Sequence, residues 1–381
     1  MRRLVVGCAL AGMLWLVSSA SAAAVVTRYV DDDHAQCPQA TFTKIQAAID
    51  ASAAHDIVRV CAGTYREQLT LPAAKTALMV ASLPALAAHV VAPASGLTAY
   101  DDAYLHRRMD LIQVLGSQQH VLGLSIAGPL TPHIASDGCA AAAAIEVDAD
   151  DVVLDGNALS GLADDTCSGQ TPSTTGIRVG SGSGAVVERG TIQGAREGVE
   201  LDGAAQTVVE NNTIVGRGSG VDGTWGLYVL SDAGQLSARS NDISAMNVGM
   251  LVAFAGGLVK GNVLHDNGTG LELSDGMFAD IDSNVIRHNT GDGLYADVIG
   301  KYGNGSYAPI RLNDVRYNGH DGIAIYGCGL NCGLSPTSYQ LDRNVSLSNG
   351  RYDCFDVAAF NDTWTGNIGV TASPSALCSP H

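Results

Sequence analysis

The stretch Asn262-Val263-Leu264-His265-Asp266-Asn267-Gly268-Thr269-Gly270-Leu271-Glu272-Leu273 is answered one period later by Asn284-Val285-Ile286-Arg287-His288-Asn289-Thr290-Gly291-Asp292-Gly293-Leu294-Tyr295-Ala296. Apolar and polar residues alternate in both over runs of three to five, which is the period of a strand and not of a helix. The opening phrase is a polar pair, then Asn or Gly, then a β-branched or aliphatic residue. It occurs nine times, centred on Asn157, Gly190, Asn212, Asn241, Asn262, Asn284, Asn313, Asn344 and Asn367. Successive separations are 33, 22, 29, 21, 22, 29, 31 and 23 residues, so the base period is near 22 and four coils carry insertions.

Short strands repeating at such a period stack as parallel sheets about 4.8 Å apart, each coil burying its inner row against the last. About a dozen coils give a rod of roughly 55 Å in one domain. The repeated Asn has a structural reading. Asn tolerates left-handed turns, and its amide can donate to and accept from the copy one coil away, forming a ladder at a bend. Asn267, Asn289, Asn318 and Asn349 form a second such row. Near the N-terminus, Phe42, Ile45, Ala48 and Ile49 fall at helical spacing, and Gly63-Thr64-Tyr65 punctuates two strands. A cap is needed there, because a bare terminal coil exposes an apolar disc and unpaired strand edges.

The segment Tyr29-Val30-Asp31-Asp32-Asp33, Phe42 to Asp50 and Val58 to Glu67, with the Asn repeat behind it, resembles the right-handed parallel β-helix repeat proteins of the pectate lyase-like superfamily. The resemblance runs from about Val30 to the C-terminus. It implies an all-β solenoid with a short N-terminal capping helix, and it implies secreted carbohydrate chemistry. The domain plan is a signal peptide over 1–22, a strand and capping helix over 23–55, and the β-helix with its fastened tail over 56–381.

Arg2 and Arg3, the apolar run Leu4 to Val17 and the small residues Ala20-Ser21-Ala22 read as an export signal, so secretion or periplasmic residence is expected. No other stretch is long enough to span a membrane. Cys8 leaves with the signal. Cys37, Cys61, Cys139, Cys167, Cys328, Cys332, Cys354 and Cys378 remain, an even number that reads as disulfides in an exported chain. Nearest-neighbour pairing is expected: 37–61, 139–167, 328–332 and 354–378, each contributing about 2–4 kcal/mol. Zinc at Cys328 and Cys332 is the weaker alternative, with no second pair or His at ligand spacing. The formal charge is −17, and removing Arg2 and Arg3 takes the basic residues from 21 to 19 against 38 acidic. That argues against nucleic acid, and it opposes a polyanionic substrate unless calcium or a basic cluster reverses the field.

The insertions, near Leu162–Thr175, Gly216–Thr224, Val298–Ala308 and Gly327–Ser338, are expected to map to loops on a binding face. Registering the coils on Gly226, Gly249, Gly270, Gly293 and Gly322 places Tyr228, Leu251, Glu272, Tyr295 and Ala324 in one outward row. Leu230, Ala253, Ser274, Asp297 and Tyr326 form the next. Glu272, Tyr295, Asp297 and Tyr326 are thus one candidate strip, with Asp292 and Asp321 equivalent in adjacent coils and His320 beside them. Stacked carboxylates want a cation, a shared proton or a basic neighbour, which suits calcium at Asp292 and Asp321 or acid–base chemistry. The bland alternative is that Asp-Gly here is turn chemistry. The candidate catalytic set is Glu272, Asp292, Asp297, Lys301, His320 and Asp321, with Lys301 the base of a lyase. The candidate sugar contacts are Trp225, Tyr228, Tyr295 and Tyr326, whose rings suit the C–H faces of sugars.

Gly319-His320-Asp321-Gly322 is similar to the Gly-His-Gly element of polygalacturonases, with Asp interposed; their other elements, and the signatures of pectin methylesterases, are absent. Lys260, Arg287, Arg311 and Arg316 are the other cations available to an elimination. The expected function is a secreted polysaccharide lyase or glycoside hydrolase, acting as a monomer on an extracellular polysaccharide. The alternative is a non-catalytic carbohydrate-binding or cell-surface module. An accessory role resembling copper-enzyme maturation factors ranks last, since no Met/His/Cys cluster is present.

Overall fold

A computed structural model describes residues 24–101, 107–130, 133–134, 138–139, 141–162, 174–230, 235–253, 256–274, 278–297, 307–326, 338–357 and 362–380. The expected signal, Lys301, most of three of the four insertions and the Cys139–Cys167 and Cys328–Cys332 pairings lie outside these residues or depend on side chains that do. Among the described residues, no helix is long and apolar enough to cross a membrane.

The chain winds as a parallel β-helix with three walls. One wall is a 12-stranded parallel sheet running from Leu69–Leu71 to Ala372–Ser373. The other two diverge from a shared start. The long strand Met79–Val91 pairs with His120–Leu122 through its first residues and with Ser125–Ala127 through its last. From there, two rows of short parallel strands run up the rod, for example Val153–Asp155 to Val186–Glu188 in one and Ala158–Ser160 to Thr191–Gln193 in the other. Pairing is residue-for-residue over most of the rod, so each inward position stacks on its equivalent. Ile145, Ile177, Val199, Leu227, Met250, Leu271, Leu294 and Ile323 form one such column, every member at most 2% exposed. A β-helix needs no helical crossover, because the other two walls of each coil carry the chain back to its own register.

The Asn ladder stands at the corner between the second and third walls. The side-chain amide of Asn241 donates to Asn262 Oδ1 (3.0 Å), Asn262 to Asn284 (2.9 Å), Asn284 to Asn313 (3.0 Å), Asn313 to Asn344 (2.9 Å) and Asn344 to Asn367 (2.9 Å). Each Asn also donates inward to a backbone carbonyl, as Asn284 does to Val259 (2.9 Å). The second row behaves alike at the next corner, with Asn289 donating to Asn318 (2.9 Å) and Asn318 to Asn349 (3.0 Å). The left-handed residue, however, is not the Asn but the one before it: Ser240, Ser283, Leu312 and Arg343 have φ between 52° and 57°. The reason is division of labour. The Asn must aim its amide along the rod, while the turn residue points outward and accepts many side chains. The registering glycines are required by space. A Cβ on Gly293 would lie 2.5 Å from Val315 Cγ1 and 2.6 Å from the Asn318 amide.

The predicted helix is Ile45–Ala51, with Ile45, Ala48 and Ile49 buried on the first coil and Phe42 bridged to Val30 just before it. Glu67, from the first coil, accepts the amides of Ile45 (2.8 Å) and Gln46 (3.1 Å) at the helix start. Lys75 donates to the carbonyls of Ile49 (2.6 Å), Asp50 (2.7 Å) and Ser52 (2.7 Å) at its end. Both ends thus receive partners of the sign the helix dipole favours. Disulfides Cys37–Cys61 and Cys354–Cys378 pin the two ends of the solenoid, matching the expected pairing.

Candidate functional site

The outer face of the 12-stranded wall carries nearly all the concentrated chemistry. Its central row, in register from coil to coil, reads Glu146, Arg178, Glu200, Tyr228, Leu251, Glu272, Tyr295, Ala324 and Phe355. The adjoining row pairs Asp297 with Tyr326. The glycine register therefore places Glu272, Tyr295, Asp297 and Tyr326 together as expected.

Burial, and then the charge on Asp297, push the Glu272 carboxyl above its ordinary range. The two residues sit one coil and two strand positions apart, about 8 Å between backbones from strand spacing and rise. Tyr295 and Tyr326 stack at 5.0 Å, Tyr326 meets Phe355 at 5.2 Å, and Phe355 stacks on Tyr352 at 5.6 Å. These rings make a continuous aromatic ramp over three coils.

At the edge of the ramp, His320 Nδ1 lies 2.6 Å from Asp292 Oδ1, which also accepts the Asp321 amide at 2.9 Å. A carboxylate facing Nδ1 fixes the orientation of the ring and leaves Nε2 available to another hydrogen-bond partner. Asp321 is fully buried and saturated. It is forked by Arg351, takes the Tyr352 amide at 3.0 Å, and receives the Tyr326 hydroxyl at 3.2 Å. The repulsion expected between stacked Asp292 and Asp321 is thus met by basic neighbours, His320 for one and Arg351 for the other. Ligand atoms of Asp292, His320 and Asp321 all lie within 4.8 Å of one another. Burial, then Asp292 and Asp321, drive the Tyr326 hydroxyl up to about 12.

Upstream on the same face lies a second charged group that the sequence reading missed. Arg108 donates to Asp110 (3.2 Å) and Glu146 (2.9 Å), and Arg178 bridges Glu146 (2.5 Å), Glu200 (3.4 Å) and Asp202 (2.7 Å). Asp110 and Glu146 are completely buried. The Thr175 hydroxyl donates to Glu197 at 2.8 Å and lies 3.2 Å from Glu200. Burial, and then the Glu197 charge, raise Glu200 to about 7. Trp225 and Tyr228, the expected sugar contacts, stack at 4.6 Å directly above this pair in the next coil.

A family described as right handed beta helix region matches residues 133–286. This chain is a right-handed parallel β-helix protein. Solved structures with the same architecture include the Dettilon tailspike protein, 13% identical, TM-score 0.61, covering 90% of this chain and 66% of that one. The GH136 lacto-N-biosidase from Eubacterium ramulus is 10% identical, TM-score 0.58, covering 91% and 67%. The GH87 alpha-1,3-glucanase catalytic unit from Streptomyces thermodiastaticus is 14% identical, TM-score 0.56, covering 93% and 71%. At these identities the likeness is one of fold. No curated protein sequence matches the chain significantly.

Lys301, the expected base, lies outside the described residues, and the other four cations considered for an elimination sit elsewhere. Lys260, Arg287, Arg311 and Arg316 belong to strands of the other two walls. Among the described residues, the cation bound into the acidic strip is Arg351, which no sequence pattern singled out.

Proposed function

We propose that this β-helix hydrolyses glycosidic bonds in a largely neutral polysaccharide laid along the outer face of its 12-stranded wall. The observation that carries the reading is the pair Glu272 and Asp297, in which one carboxyl is pushed toward its protonated form by burial and by the other's charge. A protonated and an ionised carboxyl flanking a bond are the two groups that glycoside hydrolysis requires, with separations of about 6.5–9.5 Å serving inversion. Glu272 is assigned as general acid and Asp297 as general base. Tyr295, Tyr326, Trp225 and Tyr228 supply stacking surfaces. His320 and the Tyr326 hydroxyl hydrogen-bond the substrate, and Asp292, Asp321 and Arg351 position them.

Hydrolysis is favoured over elimination because a lyase needs a cation for the uronate carboxylate. Among the described residues, Arg351 is already engaged by Asp321, and Glu272 lies in register between Leu251 and Tyr295 with Asp297 as the charge acting on it. Solved β-helix structures include an alpha-1,3-glucanase, a lacto-N-biosidase and a mannuronic acid specific lyase, so the scaffold accommodates glycan substrates. The test is reducing-end release from a panel of neutral and acidic polysaccharides, with calcium or chelator, beside ultraviolet absorbance for unsaturated products. Sugar release without absorbance, abolished in Glu272→Gln and Asp297→Asn, is expected. Rising absorbance would make the protein a lyase. No release with retained binding would leave the aromatic ramp as a binding platform.

A further inference from the structure

On the third wall, away from the acidic strip, the β-helix holds an open depression of about 400 Å³ lined by Val285, Arg287, His288, Asp314, Arg316 and Tyr317. Its floor is made by adjacent strands, in which Arg287 and Arg316 are register partners. Its rim is a ring pair, His288 stacked on Tyr317 at 5.5 Å and 18°. The corner where these rings stand is turned in most coils by a left-handed residue, among them Gly161, Gly194, Ala245, Asp266 and Ser348. Two successive coils instead place bulky rings there, at φ 55° and 57°, a backbone region that large side chains seldom occupy. Tyr317 is 55% exposed, so its ring is not serving the core.

The charge pattern is equally out of keeping with the molecule. In a chain of formal charge −17, this depression gathers two guanidinium groups and an imidazole against one carboxylate. Asp314 is engaged by Arg316. Neither Arg287 nor His288 makes an ion pair among the described residues. His265, in the coil before, is held by Asp242 (2.9 Å) and Asp266 (2.6 Å) and does not compete for the depression.

We infer that the Arg287–Arg316 depression, rimmed by His288 and Tyr317, is a docking site for an anionic saccharide, separate from the acidic face. The guanidinium of Arg287 takes the carboxylate or sulfate of one sugar unit, and the ring pair takes the C–H face of that unit or its neighbour. An acidic protein is repelled by an acidic matrix on average, and a local basic patch with an aromatic edge is how it adheres without reversing its net charge. The site binds and does not cleave, so it is independent of the activity assigned to Glu272 and Asp297.

Affinity electrophoresis in native gels containing polygalacturonate, dextran sulfate, neutral dextran or polyphosphate tests this. Wild type should be retarded by the two anionic polysaccharides and not by dextran, with retardation falling as salt rises. Arg287→Gln and the double variant R287Q/R316Q should bind about tenfold more weakly. Tyr317→Asn, which suits the left-handed corner, should weaken binding to the polysaccharides while leaving any polyphosphate binding alone. Thermal melts confirm that each variant is folded, and the single Arg287 variant stands if the double does not fold. Unchanged retardation of the Arg287 variants overturns the site. Polyphosphate retarding as strongly as polygalacturonate, with Tyr317→Asn without effect, overturns its saccharide character. Because the readout is binding, a protein that hydrolyses nothing still decides the question.

Discussion

Glu200 shows how one residue couples the solenoid's packing to pH. Its carboxyl is raised to about 7 by burial and by Glu197, so the folded chain holds a proton that the unfolded chain releases near the ordinary glutamate value. The sign follows directly. The contribution is complete below about pH 4.5 and is lost as pH climbs toward 7, because the unfolded state binds fewer protons over that window. The thermal midpoint of wild type should therefore fall across this range, and Glu200→Gln should flatten part of the fall, by about 1–3 kcal/mol between the two ends. A variant with the parent's pH slope would mean that Glu200 is ionised in the folded protein. Arg351 gives a complementary case. Its removal leaves Asp321 buried without its fork, so Arg351→Ala should lower stability by about 2–4 kcal/mol, and Asp321→Asn should recover part of that loss in the double variant. Denaturant midpoints of the three proteins make the comparison; equal loss in the single and double variants would show that the pair is not coupled.

The elements owe their precision to the corners between them. Each ladder Asn makes its bonds in a dry interior where an unmet donor is expensive, so the ladder behaves as a continuous seam and not as separate hydrogen bonds. Asn284→Ala would leave the backbone and side-chain N–H groups of Asn262 without their shared acceptor and take a donor from the Val259 carbonyl, while Asn313 Oδ1 keeps only the backbone N–H of residue 284. A loss of about 2–4 kcal/mol is expected by denaturant titration, larger than for a single surface hydrogen bond. At the same corner, Leu312 carries left-handed strain with its side chain largely in solvent, being 46% exposed at φ 57°. Leu312→Asn should gain about 0.5–1 kcal/mol. Opposite signs at these two corner positions, taken from adjacent coils, would separate the inward role from the outward one. This corner was legible in the chain because its Asn recurs at a countable interval. So were Glu272, Tyr295, Asp297 and Tyr326, since a glycine fixed their phase. The Arg108–Glu146–Arg178–Glu200 network was not. Its members stand 22 to 38 residues apart across coils of unequal length, and they share no repeating residue type. Only the register of the folded sheet brings Glu146, Arg178 and Glu200 into one row, where Arg108 reaches Glu146 from outside it.

At the scale of the whole molecule, a solenoid is held by nearest neighbours, so its weak points are its ends. The two described disulfides lie at those ends, each closing 24 residues of sequence. At the C-terminus the last coil has a neighbour on one side only. It is retained by Cys354–Cys378, by the strands Thr363–Thr365 against Gln340–Asp342 and Ala372–Ser373 against Cys354–Phe355, by the last Asn344–Asn367 ladder bond and by the bridges Val345–Ile368 and Ile368–Ser379. At the N-terminus the helix, Glu67, Lys75 and Cys37–Cys61 share the work. The asymmetry predicts an order of failure. In Cys354→Ser/Cys378→Ser, the C-terminal coil should become open to proteolysis and to amide exchange at temperatures where the rest is protected, with each coil exposed only after the one beyond it has peeled away. Cys37→Ser/Cys61→Ser should show a smaller change, because the helix, hydrogen-bonded at both ends by Glu67 and Lys75, still covers the first coil. Hydrogen exchange read coil by coil along the Asn ladder would record this as protection rising from the C-terminus inward. If both variants instead lose protection everywhere at once, the dozen coils unfold as a single cooperative unit, and the disulfides act on the whole unfolded chain and not on the ends they join.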